Sequence, residues 1–378
     1  MSSALNKSEL QRYSRHLLLP ELGIAGQERL KAAKIAVIGA GGLGSPLILY
    51  LAAAGTGKIG IVDFDQVDKS NLQRQIIYTE SDLGKSKVER AASRARDLNG
   101  DIEIVEHSVR LSADNALDIL KHYDLVVDGT DNFSTRYLVN DACVLLGKTN
   151  VHGAIYRFEG QASVFAYNDG PCYRCLFPDP PPPEAVPNCA EGGVLGVMAG
   201  IIGCIQANEA IKVVLGIGET LSGKLLLYDA LAMNFDTVPI PKDPHCPVCG
   251  TNPRIKTLKD TVVSCTPPEE KMTGRVITPV ELQNELKSGT QLKLLDVRTY
   301  EEVLLNRIPD SIHIPLAELS ERLKELDKDA DIVVYCKSGG RSMKAMQVLQ
   351  ERGFSKVRNL TGGILGWARD VDPSLNQY

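Results

Sequence analysis

Short apolar runs and helical segments alternate along the first part of the chain. The apolar runs have the length and composition of buried strands, and a helical pattern follows both the first and the second of them. This alternation predicts a parallel sheet with helices on both faces. The predicted strands are 34–39, 59–63, 102–107, 124–128, 149–154, 161–166 and 224–229, and the predicted helices are 5–33, 45–54 and 85–98.

Two later segments depart from this alternation. The apolar run 194–205 is interrupted at its end by Gln206, Asn208 and Glu209. It is too short to span a bilayer and therefore predicts a buried helix. The proline-dense segment 178–187 excludes a helix or a central strand, and it predicts a crossing loop.

A second, smaller α/β pattern begins near Gly274. Prolines, charges and three cysteines mark the composition of 241–268, which separates the two patterns. We therefore expect domains at 1–250 and 273–378, joined by a linker at 251–272. The predicted strands of the second domain are 292–297, 332–335 and 357–360, and its predicted helices are 278–286, 316–326 and 342–352.

The composition is that of a globular protein. The chain has 378 residues, of which 43% are hydrophobic and 24% charged, with a formal net charge of -5. This balance excludes a basic footprint for nucleic acid over the chain as a whole. The polar N-terminus has no signal-like apolar run, so we expect a cytoplasmic protein without a membrane partner. Nine cysteines in such a chain indicate metal or thiol chemistry rather than disulfides.

A glycine cluster joins the first predicted strand to the following helix. Glycines there let the backbone approach a phosphate closely, and the helix N-terminus offers free N–H groups to it. Asp63 ends the next strand, where an acid can bind ribose hydroxyls. The pattern fits NAD, FAD or ATP equally. The glycines of the cluster are Gly39, Gly41, Gly42 and Gly44.

A row of polar and cationic residues after Asp63 favours ATP over a dinucleotide. A pyrophosphate leaving group needs its developing charge neutralised, and Arg74 and Lys87 can do this. Each cation taken alone would be read as a solvated surface residue. The candidate nucleotide-binding residues of this stretch are Asp65, Asn71, Arg74, Gln75 and Lys87.

Asp131 follows the fourth predicted strand. Ligands of an open parallel sheet bind outside the carboxyl ends of the strands, and a carboxylate there can hold Mg²⁺ against phosphates. The alternative is that Asp131 caps a helix starting near Ser134, a role that Asn132 could fill equally well.

Two C-x-x-C pairs predict a zinc site. Two pairs supply a complete tetrahedral thiolate shell, which is a closed structural site rather than a catalytic one. The alternative is a redox C-x-x-C, which two motifs at opposite ends of one domain disfavour. The four predicted zinc ligands are Cys172, Cys175, Cys246 and Cys249.

Two further cysteines are candidate nucleophiles. Cys189 precedes an apolar helix, where a thiol pKa can be depressed, but it could equally be an incidental loop residue. Cys336 lies between a strand and a helix in Cys336-Lys-Ser-Gly-Gly-Arg341, where backbone N–H groups and the charge of Arg341 would favour a thiolate and then a persulfide.

Residues 8–250 resemble the ubiquitin-activating-like adenylyltransferases, most closely the bacterial activators of molybdopterin-synthase and thiamine-biosynthesis sulfur carriers. The resemblance implies that Asp63 binds the ribose and that Asp131 lies at the magnesium and the attacked α-phosphate. It also implies that Arg15 reaches the ATP site of a neighbouring subunit in a homodimer. The motifs that carry the resemblance are Arg12-Tyr-Ser-Arg15, the glycine cluster, Asp63-Phe-Asp65, Asn71-Leu-Gln-Arg74-Gln75, Lys87, Thr130-Asp131-Asn132 and both C-x-x-C pairs.

Residues 273–378 resemble a single-domain rhodanese, through Asp296-Val-Arg298, the Cys336 loop and Leu360-Thr-Gly-Gly. Four residues separate Cys336 from Arg341, whereas related cysteine phosphatases have five, which favours sulfur transfer over phosphate chemistry. The segment 306–310 departs from the family, which usually has Gly-His-Ile-Pro-Gly there, and this departure puts the packing of the loop in doubt.

Together the two resemblances imply an α/β protein with a Rossmann-like adenylation domain and a small α/β rhodanese domain. Its expected reaction is ATP-dependent adenylation of the Gly-Gly terminus of a ubiquitin-like sulfur-carrier protein, followed by sulfur transfer from a Cys336 persulfide. A cysteine desulfurase or thiosulfate would supply the sulfur. The alternatives are an NAD(P)-binding oxidoreductase with a regulatory rhodanese-like domain and a non-enzymatic scaffold that docks carriers.

Overall fold

A computed structural model of the chain describes residues 5–181, 193–260 and 276–375. The chain divides into two compact units, Met1–Val263 and Ser264–Tyr378. Each unit is built around its own sheet and its own hydrophobic core.

The first unit is built on an eight-stranded sheet in the order β3-β2-β1-β4-β5-β6-β7-β8. Neighbouring strands from β3 to β5 are parallel, and those from β5 to β8 are antiparallel. The mostly parallel, Rossmann-like sheet predicted from the sequence is therefore confirmed. The strands are β1 (Lys34–Ile38), β2 (Lys58–Asp63), β3 (Glu103–Ser108), β4 (Leu125–Asp128), β5 (Thr149–Tyr156), β6 (Glu159–Phe165), β7 (Lys224–Asp229) and β8 (Asn234–Pro239).

Helices cover both faces of the parallel strands. Alternate residues of β1 enter different cores: Ile35 and Val37 pack in one, and Ala36 and Ile38 in the other. This two-sided burial follows from strands that are apolar throughout rather than alternating. The helices of this unit are α1 (Lys7–Arg12), α2 (Ser14–Leu17), α3 (Gly23–Ala32), α4 (Gly44–Ala54), α5 (Lys87–Leu98), α6 (Ala116–Leu120), α7 (Phe133–Leu146), α8 (Tyr173–Leu176) and α9 (Gly196–Leu215).

Within the described residues, α9 is the one helix whose length and composition would allow it to cross a membrane. Its polar residues nevertheless have partners inside the unit. Gln206 is fully buried and donates to the backbone carbonyl of Asp128 at 2.7 Å, and Glu209 accepts from the amide of Leu221 at 2.8 Å. We therefore interpret α9 as a core helix, which is longer than the sequence predicted.

The second unit contains a smaller, fully parallel sheet in the order β11-β10-β12-β13-β9. Its strands are β9 (Val276–Ile277), β10 (Leu292–Asp296), β11 (Ile312–His313), β12 (Asp331–Tyr335) and β13 (Val357–Leu360). Its helices are α10 (Pro279–Lys287), α11 (Tyr300–Leu305), α12 (Leu319–Arg322), α13 (Gly340–Glu351) and α14 (Gly363–Asp370).

Several elements differ from the sequence prediction. The predicted helix 316–326 is only the four-residue α12 followed by a 3-10 turn, Leu323–Glu325. The edge strand β8 was missed because its residues are exposed along its whole length and carry no strand-like apolar pattern. The beginning of the predicted linker packs on the first unit, since Leu258 contacts its core and Asp260 accepts from the amide of Ala113.

Candidate active sites

The glycine cluster forms a tight turn between β1 and α4. Gly39 has a φ of +90°, a conformation that side chains other than glycine rarely adopt, and a Cβ there would lie 3.1 Å from the carbonyl oxygen of Gly129. A Cβ on Gly44 would overlap the carbonyl oxygen of Gly39. The turn therefore needs glycine at both positions, and it lies against the loop that follows β4.

Asp63 at the end of β2 holds this turn. One of its carboxylate oxygens accepts from the amide of Ala40 at 2.8 Å, and the other accepts from the amide of Asp65 at 2.9 Å. The Tyr78 hydroxyl donates to the carbonyl oxygen of Ala40 at 2.7 Å, and burial raises the pKa of Tyr78, so that it remains a donor. The predicted ribose-binding acid therefore lies beside the glycine turn.

Lys87 and Arg74 lie on the segments that follow Asp63. The buried Lys87 ammonium pairs with the exposed carboxylate of Asp65 at 3.0 Å, and the Arg74 guanidinium donates to the carbonyl oxygen of Ser70 at 3.0 Å. A Cβ on Gly42 would lie 3.6 Å from Arg74 Cγ. Arg74 therefore lies beside the glycine turn, and one of the three ammonium donors of Lys87 is taken by Asp65.

Gln75 is buried beside the same turn. A Cβ on Gly41 would lie 3.6 Å from its Nε2, and its Oε1 has no hydrogen-bond partner among the described residues. A buried amide oxygen without a partner costs free energy until a donor is supplied. Gln75 is therefore suited to contact a ligand held by the turn. Asn71, also predicted, is half-buried in the 3-10 turn Lys69–Asn71.

The loop after β4 shows which residue caps α7. The cap of α7 is Asn132, whose side-chain oxygen accepts from the amide of Thr135 at 2.9 Å. Asp131 is exposed and makes no hydrogen bond or ion pair within the described part of the chain. Its carboxylate is therefore available to a cation or nucleotide, as the magnesium prediction requires.

Arg15 and Cys189 are the remaining predicted residues of this unit, apart from the predicted zinc ligands. Arg15 is exposed on α2 and is held by no side-chain partner in the described ranges. Its predicted role in a neighbouring subunit stays a prediction. Cys189 lies outside the described residues.

The four predicted zinc ligands converge although more than 70 residues separate the two pairs. Their sulfurs all lie within 4.8 Å of one another; Cys172 and Cys246 are 3.5 Å apart, and Cys175 and Cys249 are 3.4 Å apart. A tetrahedral zinc thiolate site places its sulfurs about 3.8 Å apart, so the geometry fits zinc. Hydrogen bonds among the four sulfurs lower the pKa of Cys175 and Cys246 and raise the pKa of Cys172 and Cys249.

Cys336 lies at the start of the loop between β12 and α13, and its side chain is buried. Its sulfur accepts from the amide of Gly339 at 3.1 Å and from the Ser342 hydroxyl at 3.4 Å. Gly339 takes a φ of +109°, which curls the loop around the sulfur. One backbone amide and one hydroxyl contact the sulfur, fewer backbone donors than the predicted cradle of N–H groups, and both would stabilise an anionic sulfur.

The charge of Arg341 is balanced, which the sequence did not indicate. Its guanidinium makes two hydrogen bonds of 2.6 Å to the carboxylate of Glu302 on α11. Burial raises the pKa of Glu302, but the hydrogen bonds from Arg341 and from the Thr299 amide outweigh it and hold that pKa below its usual value. Arg341 therefore shapes the loop through an ion pair rather than adding net positive charge.

The segment 306–310, which departs from the rhodanese pattern, is held in part by hydrogen bonds to a buried arginine. Asn306 accepts from the buried Arg298 through both its side-chain oxygen and its backbone oxygen, each at 2.8 Å. Asp310 occupies the position of a family glycine with a φ of +59°. The doubt about loop packing is thus resolved for Asn306, whereas Asp310 keeps a backbone conformation that favours glycine.

Sequence profiles agree with this geometry. The profile of the ThiF family matches residues 13–248, more than half of the chain. The chain belongs to the ThiF family. A rhodanese-like domain profile matches residues 278–370, so the chain combines a ThiF domain with a rhodanese-like domain.

Two relatives match the chain over its whole length. The probable adenylyltransferase/sulfurtransferase MoeZ of Mycobacterium tuberculosis is 49% identical over 388 residues, covering 100% of this chain and 97% of that protein. The adenylyltransferase and sulfurtransferase MOCS3 of Mus musculus is 43% identical, covering 100% of this chain and 89% of that protein. Among solved structures, Escherichia coli MccB with MccA-N7isoASN has a TM-score of 0.57 at 22% identity, covering 65% of this chain and 76% of that one, which supports the ThiF fold alone.

Sequence reasoning missed several residues that organise the two sites. Asp128 at the end of β4 is fully buried, and Glu302 holds Arg341. A charged residue ending an otherwise apolar strand could have revealed Asp128. The local sequence gives no signal for Glu302, because its partner lies 39 residues away.

Proposed function

We propose that the chain adenylates the C-terminal Gly-Gly of a small ubiquitin-like sulfur carrier with ATP and converts it into a thiocarboxylate with sulfur held on Cys336. The observation that carries this proposal is the presence, in one chain, of a ThiF glycine turn with its acidic loop and a rhodanese cysteine in a cradle of donors. Relatives named for both activities match the chain over its full length. The oxidoreductase alternative is not supported by these relatives.

In the first step an oxygen of the carrier carboxylate attacks the α-phosphorus of ATP, and pyrophosphate leaves. Asp63 beside the turn would hold the ribose, and Gln75 Oε1 would gain its missing donor. Arg74 and Lys87 would neutralise the pyrophosphate. Mg²⁺ at Asp131 would neutralise further phosphate charge.

In the second step the terminal sulfur of a Cys336 persulfide attacks the acyl carbon, and AMP leaves. The amide of Gly339 and the hydroxyl of Ser342 stabilise the persulfide before attack. A second thiol, for which Cys189 is the candidate, then attacks the Cys336 sulfur. The carrier thiocarboxylate is released, and the resulting disulfide is reduced by an external thiol.

The remaining assignments belong to the same proposal. Zinc at the four cysteines is structural, because four thiolates leave no open position. The active form is a homodimer in which Arg15 reaches the neighbouring ATP site. The adenylation domain of 1–250 continues through the packed segment up to Asp260, and 273–378 form the rhodanese domain. The protein acts in the cytoplasm with a cysteine desulfurase or thiosulfate as donor, in molybdopterin or thiamine synthesis.

The test separates the two steps with purified full-length chain and a Gly-Gly-ending carrier. Cys336→Ala should retain carrier-dependent exchange of pyrophosphate into ATP but form no thiocarboxylate, because only the sulfur step uses that thiol. Cys204→Ala, at a half-buried cysteine of α9, is the matched control and should retain both activities. Mass measurement of the carrier detects the thiocarboxylate. Absence of exchange with every carrier would support a docking scaffold instead, and thiocarboxylate formed by Cys336→Ala would remove Cys336 from the mechanism.

A further inference from the structure

The loop that contains Asp131 is anchored to the end of β4 by a buried carboxylate. Asp128 ends β4 with no exposed surface, and its Oδ1 accepts from two atoms of Thr130, the amide at 3.0 Å and the hydroxyl at 2.6 Å. The hydroxyl contact has the short length of a charge-assisted hydrogen bond. Thr130 is thereby tied to the end of the strand at two points.

Other groups fix the remaining backbone of this loop. The guanidinium of Arg136, on α7, donates to the carbonyl oxygen of Thr130 at 3.2 Å. Gln206 of α9 donates to the carbonyl oxygen of Asp128. Asn132 is fixed in turn by capping α7. Asp131 therefore lies between two anchored residues, so its backbone direction is set before any ligand binds.

The other oxygen of Asp128 faces a buried histidine. Asp128 Oδ2 lies 3.6 Å from His152 Nδ1, and neither atom has a hydrogen-bond partner among the described residues. The His152 ring packs on Tyr173, which follows the zinc-site residue Cys172. Burying a carboxylate costs free energy, and an apolar side chain would fill the same space without that cost. The hydrogen bonds that Asp128 accepts from Thr130 therefore explain why a carboxylate is buried here.

We propose that Asp128 and Thr130 are positioning residues, which aim the Asp131 carboxylate at the nucleotide-bound magnesium. This inference rests on the proposed function. The Thr130 hydroxyl is the part that can be removed with the least disturbance, since valine has nearly the same shape without the donor. Without that hydrogen bond the loop backbone samples more conformations. The Asp131 carboxylate then lies within reach of the cation in a smaller fraction of them.

The experiment compares Thr130→Val with Thr130→Ser in the full-length chain. Thr130→Val should lower the kcat of carrier-dependent pyrophosphate exchange by roughly tenfold to a hundredfold, the usual cost of a small misplacement. It should also raise the Mg²⁺ concentration for half-maximal rate, with the KM for carrier little changed. Thr130→Ser keeps the donor and should restore the wild-type Mg²⁺ dependence.

A second readout does not depend on turnover. Calorimetric titration with AMP-CPP, with and without MgCl₂, measures how much magnesium strengthens nucleotide binding. Thr130→Val should lose most of that gain, and Thr130→Ser should keep it. If exchange is absent in the wild type, the proposed function fails while this measurement still tests the positioning role. A Thr130→Val protein with wild-type magnesium dependence overturns the inference, and Thr130→Ala carries the same test if the valine variant does not fold.

Discussion

At the scale of single residues, the chemistry of each site depends on one or two unusual backbone positions. Gly39 and Gly339 take left-handed conformations where the chain curls towards a ligand or a sulfur. Asp310 takes such a conformation without being glycine. The first two are compatible with their residue type, whereas the third stores strain in the loop beside β11.

Replacing this aspartate should stabilise the second unit. Asp310→Gly removes the Cβ clash of the left-handed conformation, which costs about 1 kcal/mol, and the greater freedom of glycine in the unfolded chain offsets part of the gain. We expect a net increase of roughly 0.5 kcal/mol in unfolding free energy. Urea unfolding followed by fluorescence reports this unit, because the single tryptophan is Trp367.

Asp329→Gly is the matched control for this change. Asp329 is exposed in the same unit but is not among the residues with positive φ. The control should therefore lose stability or leave it unchanged. Equal stabilisation by both substitutions would show that the backbone conformation of Asp310 carries no strain.

At the scale of elements, short helices position the sulfur loop. Helix α11 has only six residues, yet Thr299 and Glu302 form a capping box at its start. Glu302 also forms an ion pair with Arg341. One carboxylate thus fastens the beginning of α11 to the loop of Cys336. This contact links elements that are adjacent in space but distant in sequence.

This carboxylate should make the second unit sensitive to acid. Since the pKa of Glu302 is lowered by folding, its contribution to stability is complete above the unfolded pKa of about 4.5 and is lost as pH falls through the folded value. Glu302→Gln should therefore cost about 2 kcal/mol near pH 7. The difference from wild type should shrink below about pH 4.5.

Urea unfolding of the full chain at a series of pH values, followed by Trp367 fluorescence, measures this difference. Glu321→Gln on the exposed face of α12 is the control and should leave the pH profile unchanged. A difference between wild type and Glu302→Gln that stays constant down to the acid transition would contradict the ion-pair explanation.

At the scale of the whole molecule, the chain consists of two units with separate cores and separate chemistry. The cluster of four cysteines joins α8, which follows β6, to the segment that follows β8, so it connects two distant parts of the first unit. The mostly parallel first sheet and the C-x-x-C pairing were predictable because both follow from the spacing of residues that are close together in the sequence. The edge strand β8 and the shortened α12 were not.

Loss of one zinc ligand should weaken the first unit and leave the second intact. Cys246→Ser should lower the melting temperature of the first unit by about 10 °C. The variant should lose about 3 kcal/mol of unfolding free energy, and each kcal/mol corresponds to roughly 3 °C in a domain of this size. Elemental analysis should find one zinc per chain in the wild type and little in the variant. Cys204→Ser is the control for the loss of a cysteine. In the Cys246→Ser variant, Trp367 fluorescence should show that the second unit unfolds at an unchanged temperature. Equal stability of Cys246→Ser and wild type would exclude a structural metal.

The sequence alone determined which chemical groups are present and the order in which they occur. Glycines before a helix, paired cysteines and a cysteine followed by Lys-Ser-Gly-Gly-Arg are local patterns, and local spacing is enough to recognise a turn or a metal-binding C-x-x-C pair. Tertiary structure decided what each group contacts. Glu302 balances Arg341, Asp65 holds Lys87 and Asp128 anchors Thr130. The first two pairs join residues that are far apart in the chain, so only the packed fold brings their charges within hydrogen-bonding distance. Asp128 and Thr130 are close in the chain, and the fold decides only that their contact is buried.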